Sequence, residues 1–188
     1  MTKNELRKKY KKQRARLATQ EVEEKSLAIA NMLLNQDIWG YSYYHIFLPI
    51  THLNEVNTEY ILHILQGKDK HIVVSKTDFD SHTLTHFLLT DQTRFEKNKW
   101  GIPEPIGGIE IAPSCIDVVF VPLLVVDKQG NRVGYGKGFY DRFLQQAAPK
   151  KAIGLSFFPL EDQVLDADSH DYPLTSCCLP DKYVVFGK

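Results

Sequence analysis

The sequence predicts an α/β fold in which a mainly parallel sheet is covered by helices on both faces. Three observations carry this expectation. Segments with helical periodicity alternate with short apolar runs along the chain. An apolar run from Val118 to Val126, interrupted by Pro122, reads as a strand. A polar turn, a glycine-rich loop and a helix start follow it before Leu144.

Residues 2–17 are strong helix formers, with Thr2 placed as N-cap. At 100° per residue, Leu6, Tyr10 and Leu17 form a thin apolar stripe. Lys3, Arg7 and Arg14 lie on the arc beside it, whereas Lys8, Lys9, Lys12 and Arg16 read as a solvated face. The first sixteen residues hold eight Lys or Arg and one acid. From charge alone this is a solvated basic helix or an RNA-binding arm.

Thr19 reads as the N-cap of a second helix over 20–35, with Val22, Ser26, Ile29, Ala30 and Leu33 facing inward. A strand is expected over 43–48, then a loop from Thr51 to Asn57 that carries Glu55. Asn57 or Thr58 caps a third helix that ends at Gly67. Strands follow over 71–75 and 83–89. His82 and His86, four apart on a strand, sit roughly 13 Å from each other and form no chelating pair. Residues 91–110 are rich in Gly and Pro, and Pro103-Glu104-Pro105 marks a surface loop, with Trp100 as its aromatic anchor. A last strand is expected over 151–157.

Composition bounds the function classes. With 188 residues, the chain reads as one domain over 1–188 that buries roughly 70% of its unfolded surface. Net charge is zero, so no global field draws nucleic acid or membrane. The N-terminus is charged with no apolar core, and no run approaches the ~20 apolar residues of a spanning helix. Three cysteines, two of them adjacent, suggest a reduced, cytoplasmic protein. None of the seven histidines stands at zinc spacing. A monomer is expected.

The chemistry concentrates between Arg132 and Asp141. Glycines at alternate positions, Gly134, Gly136 and Gly138, let backbone N–H groups converge on one concavity. The helix beginning near Phe139 adds the partial positive charge of its first turn. Arg132 and Lys137 add a planar fork and a point charge. Such a loop suits a polyphosphate, and Asp141 suits a magnesium ion bridging its oxygens. The pattern is neither the Walker A loop nor the dinucleotide fingerprint. The alternative from glycines alone is a tight turn with nothing bound.

The run VPLLVVDKQGNRVGYGKGFYDRFL resembles the signature of the 5-formyltetrahydrofolate cyclo-ligases, with Val133 for the usual Leu and Phe139 for the first Tyr of a pair. That resemblance implies a Rossmann-like, three-layer arrangement with the site at the carboxyl ends of the strands. It implies ATP-dependent closure of 5-formyltetrahydrofolate to 5,10-methenyltetrahydrofolate, with ATP and Mg2+ required. Lys3 and Arg7 match the family's phosphate-binding pair, joined by Arg132, Val133, Gly134, Tyr135, Gly136, Lys137, Gly138, Phe139 and Tyr140. Lys137, Arg132 and Tyr135 are the implied catalytic residues. Glu55, Trp100, Tyr135 and Phe139 are implied to meet the folate, and Asp141 with Asp171 the metal. Two departures stand out: Asn57 where the Glu-x-Asp/Glu-Thr pattern has an acid, and Thr175 where the tail has a second one. They keep two alternatives open, a non-catalytic folate- or nucleotide-binding relative and a different phosphate-handling enzyme on the same scaffold.

Overall fold

The computed structural model describes residues 1–164 and 166–187. In chain order the elements are α1 (Lys3–Arg14), α2 (Thr19–Leu34), β1 (Tyr43–His45), α3 (Glu59–Gly67), β2 (His71–Asp78), β3 (Thr83–Leu88), β4 (Phe95–Lys97), β5 (Pro103–Pro105), β6 (Val118–Pro122), β7 (Val125–Val126), β8 (Arg132–Val133), α4 (Phe139–Ala147), β9 (Lys151–Leu155), β10 (Ser176–Cys178) and β11 (Tyr183–Val185).

Seven strands form one sheet in the order β11-β10-β9-β6-β1-β2-β3. Its five inner strands run parallel, and β3 and β11 close the two edges antiparallel. The inner strands carry apolar runs where both faces are covered, as over residues 118–121 of β6 and 72–74 of β2. Along β6, Val118 and Phe120 enter the core under α2 and α3, while Val119 and Val121 enter the core under α4. Strand order reverses between β1 and β6, so a crevice opens beyond their carboxyl ends, the usual ligand position in such sheets. The expected α/β class is therefore what the chain adopts.

The helices form for the reasons their sequences suggest. Thr2 caps α1 in a reciprocal box with Glu5. The five residues expected on the inner face of α2 are all buried. Its N-cap, however, is Ala18, one residue earlier than expected, because the Glu21 carboxylate accepts the Ala18 N–H. α3 starts after Thr58, whose hydroxyl is committed to Phe47 O, so Asn57 Oδ1 takes the Glu59 N–H instead.

Three further expectations change. β1 spans three residues rather than six, because the chain leaves the sheet after Ile46 donates to Val73 O. The run Val118–Val126 is two strands: it breaks after Pro122, at Leu123 and Leu124, and β7 then pairs with β8 in a separate antiparallel hairpin. A buried Asp127 holds the hairpin's tip by accepting from the N–H groups of Gln129, Asn131 and Val164. α1 packs Leu6 and Tyr10 on this hairpin against Leu124, Val125 and Val133. Finally, Pro103-Glu104-Pro105 is a strand after all, paired with β4. A two-stranded ribbon tolerates proline where the missing N–H would point outward. Its buried Glu104 accepts the Thr77 N–H and ties the ribbon to β2.

Candidate active site

A cleft of about 400 Å³ lies at the carboxyl ends of β1, β2 and β6, where His45, Ser75 and Pro122 line its floor. The loop between β8 and α4 forms one wall. Gly136 has φ +90° and Gly138 has φ +72°, left-handed conformations that glycine adopts without strain. A Cβ on Gly136 would stand 3.1 Å from the Arg7 guanidinium, so α1 and the loop meet as closely as glycine permits. Arg7 Nε also donates to Gly134 O at 3.0 Å.

Four cations reach this end of the cleft: Lys3, Arg7, Arg132 and Lys137. Two are already balanced. Lys3 Nζ sits 2.6 Å from Asp171 Oδ2, and Arg132 Nη2 sits 2.7 Å from Asp141 Oδ1. The Arg132 contact lies off the N–H direction, and its buried Nε and Nη2 have no hydrogen-bond partner among the described residues. Buried donors left in this way carry a desolvation cost that an anion would relieve. Arg7 and Lys137 face no carboxylate within ion-pair distance among the described residues. The arrangement gathers four cations, two with counter-charges and two without among the described residues.

Glu55, Tyr135 and an aromatic wall also line the cleft. Glu55 is buried; its Oε2 accepts from Ile50 N–H at 2.7 Å and its Oε1 from the Tyr135 hydroxyl at 2.8 Å. Burial raises its pKa above the usual carboxylate value, while the Ile50 N–H, Arg14, Tyr135 and His52 oppose that rise. Burial, reinforced by the Glu55 charge, pushes the Tyr135 and Tyr140 phenols upward, so both are neutral donors at ordinary pH. Phe79 and Phe139 line the cleft with ring centroids 5.6 Å apart, edge to face.

Thirteen of the fifteen residues singled out in the sequence therefore line one cleft, and two do not. Val133 is fully buried under α1, so its side chain supports the loop from behind. Trp100 is 56% exposed on the rim, where it packs on Phe79 at 6.0 Å between centroids rather than on the cleft floor. Thr175 bonds the backbone of Ala152 through its hydroxyl and is committed to the sheet.

A family model described as the 5-formyltetrahydrofolate cyclo-ligase family matches residues 1–180. The chain belongs to that family. A 5-formyltetrahydrofolate cyclo-ligase of Haemophilus influenzae is 32% identical over 125 residues, which cover 64% of this chain and 67% of that protein. A probable 5-formyltetrahydrofolate cyclo-ligase of Schizosaccharomyces pombe is 24% identical over 98% of both chains. Among solved structures, the Aquifex aeolicus 5,10-methenyltetrahydrofolate synthetase superposes with TM-score 0.83 at 24% identity, over 100% of this chain and 94% of that one. At that identity the likeness speaks for the fold. The family carries the activity: this cyclo-ligase is an ATP-dependent ligase acting on 5-formyltetrahydrofolate. Among the described residues, no helix is long and apolar enough to cross a membrane.

Sequence reasoning missed two parts of the site. One is Arg14, expected only on the arc beside the apolar stripe of α1, which lies buried behind Tyr135. The other is a hydrogen-bonded chain under the cleft floor, in which Ser75 Oγ meets His45 Nε2 at 2.8 Å and His86 Nδ1 at 2.7 Å. The signal for the second was a polar residue inside an apolar strand run, which is the informative exception to burial patterns.

His45 Nδ1 and His86 Nε2, the outer ends of that chain, have no partner among the described residues. Burial holds both rings neutral; it lowers the His86 pKa from 6.5 to about 4 and drives His45 well down. A histidine lowered in this way binds its proton more readily unfolded, so stability falls as pH drops from 6.5 toward 4. For His86 alone the loss across that window approaches ~3 kcal/mol. Thermal midpoints measured from pH 7 to 4.5 should fall less steeply for His86→Leu than for the unaltered protein. Equal slopes would show that this ring does not drive the acid limb.

Proposed function

We propose that the cleft performs the cyclisation by transferring the γ-phosphoryl group of ATP to the formyl oxygen of 5-formyltetrahydrofolate. The observation that supports this reading most is the convergence of Arg7, Arg132, Lys137 and the glycine loop on one cleft that Glu55 also lines.

In this reading the triphosphate lies along the loop between Arg132 and Gly138, under the first turn of α4, whose N–H groups add partial positive charge. The open Nε and Nη2 donors of Arg132 take phosphate oxygens as a fork, and Lys137 follows the γ-group as a mobile point charge. The bond from γ-phosphorus to the β-bridging oxygen breaks and ADP leaves. A formyl oxygen is a poor leaving group, and phosphorylation makes it a good one. The neighbouring nitrogen of the folate then attacks the formyl carbon and loses its proton, the C–O bond breaks, and phosphate departs from the closed five-membered ring. The protein's part is positioning and charge stabilisation. Glu55 holds the edge of the pterin, and the neutral Tyr135 hydroxyl sits at the border between nucleotide and formyl group. Phe79 and Phe139 supply apolar faces for a flat heterocycle.

The residues present fit a magnesium ion. Asp141 and Asp171 both line the cleft, and the Tyr172 N–H donates to Asp141 at 3.1 Å, which joins α4 to the segment carrying Asp171. No cluster of three or more metal-binding side chains occurs among the described residues, as suits an ion that takes one or two carboxylates and fills its shell with phosphate oxygens and water. Bound there, the ion would neutralise charge on the phosphates.

The test is direct. The protein is mixed with 5-formyltetrahydrofolate, ATP and magnesium, and the methenyl chromophore is followed, with ATP or magnesium left out as controls. Chromophore and ADP should appear in equal amounts. ADP release without chromophore would place the phosphoryl group elsewhere and end this reading.

A further inference from the structure

Arg14 is the last residue of α1 and is 5% exposed, yet no carboxylate stands within ion-pair distance of it among the described residues. An unpaired buried guanidinium is costly, so its surroundings must return that cost. Its Nη1 donates to Leu123 O at 3.3 Å, its Nε has no partner among the described residues, and its Nη2 donates to the Tyr135 hydroxyl. The same hydroxyl donates onward to Glu55 Oε1 at 2.8 Å. Arg14 is also stacked beside the Tyr135 ring, with its guanidinium carbon 5.3 Å from the ring centroid. A second clasp joins the same parts: Asn54 Nδ2 donates to Arg14 O at 3.0 Å and to Leu17 O at 3.2 Å, which fixes the residue before Glu55 to the end of α1.

From this geometry we propose that Arg14 is a positioning residue that sets the orientation and the charge of Glu55 through the Tyr135 hydroxyl. It touches neither reactant, since it lies behind the cleft wall that Tyr135 forms. A phenol has one proton to give. With Arg14 donating into the oxygen, that proton is directed to Glu55, which fixes both the rotamer of Tyr135 and the lone-pair geometry of the acid. The positive charge beyond the phenol favours ionised Glu55 against the effect of its burial. Because α1 also carries Lys3 and Arg7 at its opposite end, one helix positions both the phosphate cations and the folate acid.

The other groups that bear on Glu55 are Tyr135 from the glycine loop, Tyr140 from α4 and His52 from its own loop. Tyr140 is neutral throughout the working range, and His52 acts in the same direction as Arg14 but more weakly.

This inference rests on the reading that Glu55 meets the folate, and the experiment separates the two. The dependence of kcat/KM for 5-formyltetrahydrofolate on pH is measured for the unaltered enzyme and for Arg14→Met, Arg14→Lys, Tyr135→Phe and Glu55→Gln, each checked for a cooperative melt. Loss of the cation leaves Glu55 harder to ionise, so Arg14→Met should move the acid limb to higher pH. It should also raise the folate KM roughly tenfold at neutral pH, the size of one hydrogen bond to a charged group, with the KM for ATP unchanged. Tyr135→Phe, which keeps the buried charge but cuts the relay, should raise the folate KM in the same way. Arg14→Lys should return the limb most of the way by restoring charge, and Glu55→Gln should abolish it. An unmoved limb in Arg14→Met beside an abolished limb in Glu55→Gln overturns the role of Arg14 alone. A limb that survives in Glu55→Gln overturns the folate role of Glu55, and this inference with it.

Discussion

Lys137→Ala is expected to lower kcat roughly a hundredfold while leaving the fold intact, the loss typical of removing one preorganised donor from a site of developing negative charge. The side chain is exposed at the cleft mouth and makes no ion pair among the described residues, so its removal creates no hole and strands no partner. That separates it from the other cations of the cleft. Lys3 is tied to Asp171, and Arg7 to Gly134 O and the Asn4 side chain, so their charges are held in place before any ligand arrives. In the proposed reaction, the exposed ammonium between Gly136 and Gly138 is the group that follows the γ-phosphoryl to the formyl oxygen. The effect should therefore fall on kcat in single-turnover measurements, with the affinity for ATP changed only a few-fold. An alanine variant with near-normal turnover and weakened ATP binding would make Lys137 a ground-state contact. Unchanged turnover and binding would remove it from the site.

The parts of this molecule legible in the sequence are those set by local chemistry. The glycine spacing, the helix start after it and the N-cap at Thr2 depend on a few neighbouring residues, and each is found where the sequence puts it. The inner face of α2 was legible because helical periodicity repeats over four turns. Where two distant segments decide the outcome, the sequence was silent. Arg14 lies on the arc beside the Leu6–Tyr10 stripe, and only the hairpin of β7 and β8 beneath that arc determines that it is buried behind Tyr135. The His45–Ser75–His86 chain needs β1, β2 and β3 in register before three unremarkable polar residues meet. Trp100 was implied by resemblance to meet the folate, and its place on the rim, in the connection of the β4–β5 ribbon, was not legible locally. Periodicity reports which face of an element is inward. It does not report which inward polar groups face one another.

Arg132 is where charge balance and the proposed recognition of ATP can be separated, because the proposed function gives both to one side chain. Its guanidinium is 7% exposed and lies 2.7 Å from Asp141, whose side chain is 24% exposed. Arg132→Met would leave Asp141 partly buried without its counter-charge. Breaking a fully buried pair costs about 3–5 kcal/mol, and the partial exposure of Asp141 brings the expected loss down to about 2–3 kcal/mol. For a chain of this size that lowers the melting temperature by roughly 5–10 °C. Arg132→Lys is the informative comparison. An ammonium keeps the pair with Asp141, so most of the stability should return. It cannot reproduce the planar fork, whose buried Nε and Nη2 have no hydrogen-bond partner among the described residues, and a point charge is hydrated more strongly than a guanidinium. The lysine variant should therefore melt near the unaltered protein and yet need at least about tenfold more ATP for half-maximal rate, one charge-assisted hydrogen bond's worth of affinity. Full recovery of ATP affinity in Arg132→Lys would mean that the cleft recognises charge alone. Loss of stability in Arg132→Lys equal to that in Arg132→Met would mean that the guanidinium's shape, and not its pairing with Asp141, holds the loop.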